Sequence, residues 1–228
     1  MKKQFCTIIA LITSTAFAYA QNFEGSYLMH IENAQKKHTA DMQISIKGDK
    51  SSMEMMTAPN AGKVRTIFDK KEQTMTILTE KDGGNKMAMV RKMPDANETM
   101  GNKEGKEAKI TVTNETKTIE GYNCKKVIAE SYESTTEMWV TDDLGLTYAD
   151  MFSMMNRGRG PASNMGSGMQ NYKDVKGLPL EMHMHNKNKP DEDASIFIKN
   201  IKKEKVDASL FDISGYQVMD MSKMGGVR

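Results

Sequence analysis

The sequence predicts a mainly β protein: an antiparallel curved sheet or incomplete β-barrel with one or two short helices on its concave side, preceded by a signal peptide. Three observations lead there. Apolar and polar residues alternate through most of the chain, short polar turns join the alternating segments, and the first twenty residues differ in composition from the rest.

In the leader, Met1-Lys2-Lys3 precedes an apolar run from Phe5 to Phe17 that closes on Ala18-Tyr19-Ala20. This is the charged, apolar and small-residue order of a secretory signal, and the run is too short to span a bilayer. Residues 1–20 are expected to be removed before Gln21, leaving 21–228 as a single β-rich domain that is periplasmic or secreted and soluble. Cys6 lies within the leader and Cys124 is then the sole thiol, which excludes an intramolecular disulfide. A packed Cys in a strand is the expected state. No Cys stands at the new N-terminus to carry an acyl anchor. Loss of Lys2 and Lys3 leaves 30 basic side chains against 30 acidic ones, a neutral surface without the footprint of a nucleic-acid partner. No later apolar run is long enough to cross a membrane.

Along the mature chain, Phe23, Tyr27, Met29 and Ile31 share one face of a first strand. A second runs from Asp41 to Lys47 with Met42, Ile44 and Ile46 on one side and Asp41, Gln43, Ser45 and Lys47 on the other. Further strands are predicted at 53–57, 64–68, 74–78, 86–90, 109–113, 124–130, 137–141, 178–185 and 196–201. Lys47-Gly48-Asp49-Lys50 and Asp69-Lys70-Lys71-Glu72 read as hairpin turns. Consecutive hairpins imply an antiparallel meander with one face covered and one wet. A helix is predicted over 143–155, where Leu146, Ala149, Phe152 and Met155 recur at helical spacing after the caps Asp142 and Asp143. Flexible loops are expected at about 80–106 and 156–170, where Gly, Asn, Ser, Lys and Met replace apolar continuity.

The run Ile119-Glu120-Gly121-Tyr122-Asn123-Cys124-Lys125-Lys126, followed by Glu137-Met138-Trp139-Val140-Thr141-Asp142-Asp143-Leu144, resembles the paired strands of an exported bacterial family, domain of unknown function 4412. Lys176-Gly177-Leu178-Pro179-Leu180-Glu181-Met182 and Val206-Asp207-Ala208-Ser209-Leu210-Phe211-Asp212-Ile213 agree with it in order and spacing. That family is similar to periplasmic lipoprotein carriers. The resemblance implies an open half-barrel wrapped around helices, with a concave side able to shelter acyl chains, and it assigns no catalytic residues.

Methionine is the compositional outlier, at 22 residues, and its clusters admit two chemistries. Thioethers are soft ligands for Cu(I). They are also flexible side chains that fill the interior between sheet and helix without a precise shape, or line a cavity for varied apolar ligands. Along 178–185 the even residues Leu178, Leu180, Met182 and Met184 share a face opposite Glu181, His183 and His185, so Met and His there point apart. No nucleophile elbow, zinc-protease helix, phosphate loop or dinucleotide fingerprint occurs. The expectation is therefore a non-enzymatic protein without a cofactor or metal, binding a lipid or other apolar molecule through Met42, Ile44, Phe152, Leu180, Met182 and Met184. Leu146, Phe152 and Met155 would close the cavity as a plug. The alternatives are Met/His-based copper binding and a structural or interaction module of the cell envelope.

Mass spectrometry of the exported protein should find Gln21, free or cyclised, at its N-terminus, in a fraction obtained without detergent. A retained Met1 would refute the leader.

Overall fold

In the computed structural model, residues 23–33, 38–55, 63–80, 84–93, 108–156, 172 and 175–221 are described. Strand β1 (Gly25–Asn33) sets the pattern: Tyr27, Met29 and Ile31 are buried, while Ser26, Leu28, His30 and Glu32 between them stay partly exposed. It continues as an antiparallel meander through β2 (His38–Lys47), β3 (Lys50–Met55), β4 (Lys63–Asp69), β5 (Thr74–Glu80) and β6 (Lys86–Lys92). The β2–β3 hairpin needs only Gly48 and Asp49, because Gly48 supplies the φ of +58° that a tight two-residue turn requires. A second meander comprises β7 (Lys109–Ile119), β8 (Tyr122–Glu130), β9 (Ser134–Thr141), β10 (Leu178–Asn186) and β11 (Ala194–Lys202). The two meanders join where β1 pairs with β11, Met29 opposite Ile198.

A last strand, β12 (Gln217–Asp220), pairs parallel with β6, giving the order β12-β6-β5-β4-β3-β2-β1-β11-β10-β9-β8-β7. The described sheet is open, and all its other pairings are antiparallel. Register carries the alternation across strands: Ile31, Ile196, Met182, Met138 and Val127 stand opposite one another in turn from β1 to β8, and all are buried. That row is the spine of the apolar inner face.

Among the described residues one α-helix, α1 (Tyr148–Asn156), covers this face, burying Tyr148, Met151, Phe152, Met154 and Met155. The expected helix over 143–155 is corrected at its start. Gly145 adopts φ +65° and donates its N–H to the Asp142 carbonyl at 3.4 Å, so 142–145 is a turn and not a helical stretch capped by Asp142 or Asp143. Thr147 is the cap instead. Its Oγ1 accepts from the Asp150 N–H at 3.2 Å while Asp150 Oδ2 accepts from the Thr147 N–H at 2.9 Å, a reciprocal capping box. Leu146 is buried ahead of the helix, and Ala149, expected on the apolar stripe, is exposed. Gly177 brings the start of β10 against this turn. A Cβ on it would lie 2.4 Å from the Thr141 carbonyl oxygen, and its φ is +86°.

The outer face is not wet throughout, which corrects the two-face expectation. Ile67, Leu78 and Ala88 lie on the outer side of β4, β5 and β6 and are covered by Phe211, Ile213 and Tyr216 from the segment between β11 and β12. Tyr216 Oη donates to Glu80 there, and Lys47 Nζ donates to the Val206 carbonyl at 2.8 Å as the segment crosses. The predicted strands are observed with adjusted ends. β12 was not predicted, and β6 occupies part of the expected 80–106 loop. The remainder of that loop around 94–106, most of the 156–170 loop, residue 57 and the leader lie outside the described residues.

A nine-residue helix is too short to persist by itself, so its cap should matter measurably. Thr147→Ala is expected to lower unfolding free energy by about 1 kcal/mol in a denaturant titration, with Thr147→Ser close to the unmutated protein. An alanine variant of unchanged stability would show that packing alone holds α1.

Candidate functional site

Register and helix packing place all six sequence-selected residues on the inner face. Met42 and Ile44 come from β2, Leu180, Met182 and Met184 from β10, and Phe152 from α1, and every one is buried. β1 and β11 separate the two strands, so these side chains form a broad core layer under the helix. None of the six lines the cavity that the described residues enclose.

That cavity, of about 230 Å³, lies between α1 and the β2–β3 and β4–β5 turns. Ile46, Phe68, Met93, Leu146 and Met154 supply its apolar wall. Lysines 50 and 70 and aspartates 49 and 150 bring equal numbers of opposite charges to its polar part. Lys70 Nζ donates to Asp150 Oδ1, tying the first turn of α1 to the β4–β5 turn, and Lys50 lies 3.6 Å from Asp69. Burial pushes the Asp150 carboxyl upward, but the Lys70 hydrogen bond and charge and the Thr147 bonds outweigh it and hold it below the usual carboxylate range. A second, more open depression of about 420 Å³ lies on the other side of Leu146, beside Gly145, Val175 and Gly177.

Tyr27 brings an unusual feature to the same face. Its hydroxyl is buried and has no hydrogen-bond partner among the described residues. Burial first, and then the Asp150 charge, raise its pKa far above that of an ordinary tyrosine. The hydroxyl therefore stays protonated, a donor without an acceptor. By contrast, Tyr172 Oη and Thr136 Oγ1 are hydrogen-bonded at 2.8 Å, and Tyr148 packs between Tyr172 and Phe152 with ring centroids 5.4 and 6.0 Å away.

The remaining chemistry-bearing residues are committed elsewhere. His183 meets Ser195 and Glu181 at 2.9 and 3.0 Å, and His185 meets Asp193 at 2.8 Å, all on the outer face as their alternation implied. No group of three or more His, Cys, Asp or Glu poised for a metal occurs among the described residues. Cys124 is buried, and burial pushes its thiol up to about 11, which disfavours a reactive thiolate.

The sequence reading missed Phe68, Met93 and Met154 as wall residues. Ile46 and Leu146 were visible as apolar positions, Ile46 on the same face as Met42 and Ile44, but their meeting depends on where the helix starts. A helix begun at 143 would carry Leu146 within its stripe, whereas the turn at Gly145 sets Leu146 at the cavity wall.

The family model for a domain of unknown function, DUF4412, matches residues 23–216. Among solved structures, PNGF-II aligns at 16% identity over 89% of this chain, with a TM-score of 0.48, and the chain spans only 31% of that protein's length. An uncharacterized conserved protein from Thermus thermophilus aligns at 8% identity over 88% of this chain and 92% of its own, TM-score 0.49. A LolA superfamily protein from Nitrosomonas europaea aligns at 8% identity over 83% and 89%, TM-score 0.33. None of these likenesses carries function to this chain. No curated protein matches it.

The orphaned hydroxyl gives a direct test of the packing beneath α1. Deleting an unpaired buried donor relieves a desolvation penalty of about 1–3 kcal/mol. Tyr27→Phe should therefore leave the protein as stable as before or raise its melting temperature. A clear loss of stability would reveal a hydrogen-bond partner for Tyr27.

Proposed function

This chain belongs to the DUF4412 family, and from the cleft beside its helix we propose that it is an exported binding protein sheltering part of an apolar ligand, such as an acyl chain. The observation that carries the reading is the 230 Å³ cavity with an apolar wall and a charge-balanced polar part. The resemblance drawn from the sequence implies the same ligand class. Binding is favoured over catalysis because no His or Cys among the described residues lines the cavity and its Asp150 and Lys70 are paired with each other. No helix among the described residues is long and apolar enough to cross a membrane, and the export signal in residues 1–20 supports a periplasmic or secreted location.

Magnitudes limit the ligand. A cavity of roughly 150 Å³ accommodates benzene, so by proportion this one accepts about nine carbon atoms. At about 0.8 kcal/mol per methylene the gross gain is about 7 kcal/mol, which limits affinity to about 10 μM before association costs. The cavity also falls below the range of roughly 300–1,000 Å³ usual for whole small-molecule sites. One short acyl segment fits, and a two-chain lipid does not.

Ser153 contributes to the wall and is partly exposed, so a large side chain there fills the space without removing core contacts. Titration with a fluorescent fatty acid should saturate no tighter than about 100 μM for the unmutated protein and weaken at least tenfold for Ser153→Trp, with unchanged circular dichroism. Met182→Leu, beneath the helix, should bind as before. No saturable binding by the unmutated protein, or undiminished binding by folded Ser153→Trp, would refute this site.

A further inference from the structure

The β12 end of the sheet carries methionines in a setting unlike those under α1. Met219 stands opposite Met89 and Gln217 opposite Met87 in the parallel β6–β12 pair. Alternation places Met87, Met89 and Met219 on the inner side of these strands, with Ala88 and Val218 on the outer. Met219 and Met221 are each 40% exposed and Met87 and Met89 are partly exposed, whereas Met42, Met138 and Met182 are at most 1% exposed. Core filling does not account for thioethers that face solvent.

Side chains directly opposite one another on neighbouring strands have Cβ atoms about 5 Å apart, and residues two apart along a strand are about 6.5 Å apart. Methionine's rotatable, unbranched side chain is long enough for sulfurs from those positions to reach a common point. The neighbours also select the ion. β5 contributes Ile77 opposite Met89 and Thr79 opposite Met87. Arg91 shares the face, but its Nη2 donates to the Met75 sulfur at 3.5 Å. The inner-side positions of β5, β6 and β12 include no carboxylate, imidazole or thiol. Neutral thioethers without anionic ligands suit a soft monovalent ion and disfavour Zn²⁺, Mg²⁺ or Ca²⁺.

We propose that Met87, Met89 and Met219 form a binding site for a soft monovalent metal ion of the Cu(I) class. The site is independent of the acyl cavity. It also differs from a Met/His arrangement, since the Met182 and Met184 side chains are buried on the face opposite His183 and His185.

The test is Cu(I), kept reduced, titrated into the protein in competition with the chromophoric chelator bicinchoninate. The unmutated protein should withdraw one equivalent. Met89→Leu combined with Met219→Leu keeps volume and removes two sulfurs, and should weaken binding at least tenfold with an unchanged melting temperature. Met182→Leu with Met184→Leu should bind as before. Because β12 is short, the single variant Met219→Leu, at an exposed side chain, supplies a second measurement with less risk to folding and should also weaken binding. Methionine methyl NMR of the unmutated protein with Ag(I) should shift the signals of Met87, Met89 and Met219. Failure to compete with the chelator, equal loss in the Met182/Met184 variant, or Ag(I) shifts confined to other methionines would overturn the proposal.

Discussion

The apolar inner face of the sheet has to be kept from water, and α1 is the helix that does this. Tyr148, Met151, Phe152, Met154 and Met155 lie against a layer that includes Tyr27, Ile44, Leu180 and Met182. At about 1.5–3 kcal/mol for each large side chain buried, the helix contributes on the order of 10 kcal/mol in gross terms, comparable to the whole net stability of a typical domain. The dependence runs both ways. Nine residues form no stable helix in water, so α1 exists because the sheet receives it, the Thr147–Asp150 box starts it, and Lys70 ties it to the β4–β5 turn.

The functional candidates lie where this covering stops. At the β2–β3 and β4–β5 turns the helix leaves the cavity bounded by Phe68, Leu146 and Met154. At the β6–β12 end the inner side is lined by partly exposed methionines. Methionine suits both places for one physical reason: an unbranched, polarisable side chain packs without a strict shape and can turn its sulfur outward where solvent reaches it. Composition alone could not separate those uses. Burial and register do, because the same residue type is enclosed on β10 and accessible on β12.

Much of the fold was legible because alternation is a local signal. Tyr27, Met29 and Ile31 announce their common face from spacing alone, and Leu178–Met184 separates its apolar side from Glu181, His183 and His185 in the same way. β12 was hidden because it has four residues, is exposed on both sides, and pairs with a strand well over a hundred residues earlier. The helix cap was misread because Asp142, Asp143 and Thr147 are all competent caps, and the choice rests on Gly145 taking a left-handed conformation. The six residues expected to line a cavity are buried on the inner face, and none lines the cavity beside α1. Which parts of that face stay open depends on the seat of α1, a tertiary property without a sequence period.

This last point sets the size of ligand compatible with the resting structure. Sheltering more than about nine carbons of a ligand would require displacing α1 and exposing the apolar surface beneath it. Breaking the partly exposed Lys70–Asp150 pair would add only about 0–1 kcal/mol to that work. The main opposition comes from five buried side chains of the helix, and a ligand offsets it only by covering the same surface with apolar area of its own. A small polar molecule has no such area, and a single short acyl segment has no need to move the helix. The energetics therefore separate two regimes: weak sheltering at the edge with α1 in place, and replacement of α1 by a ligand at least as apolar as the helix face it removes.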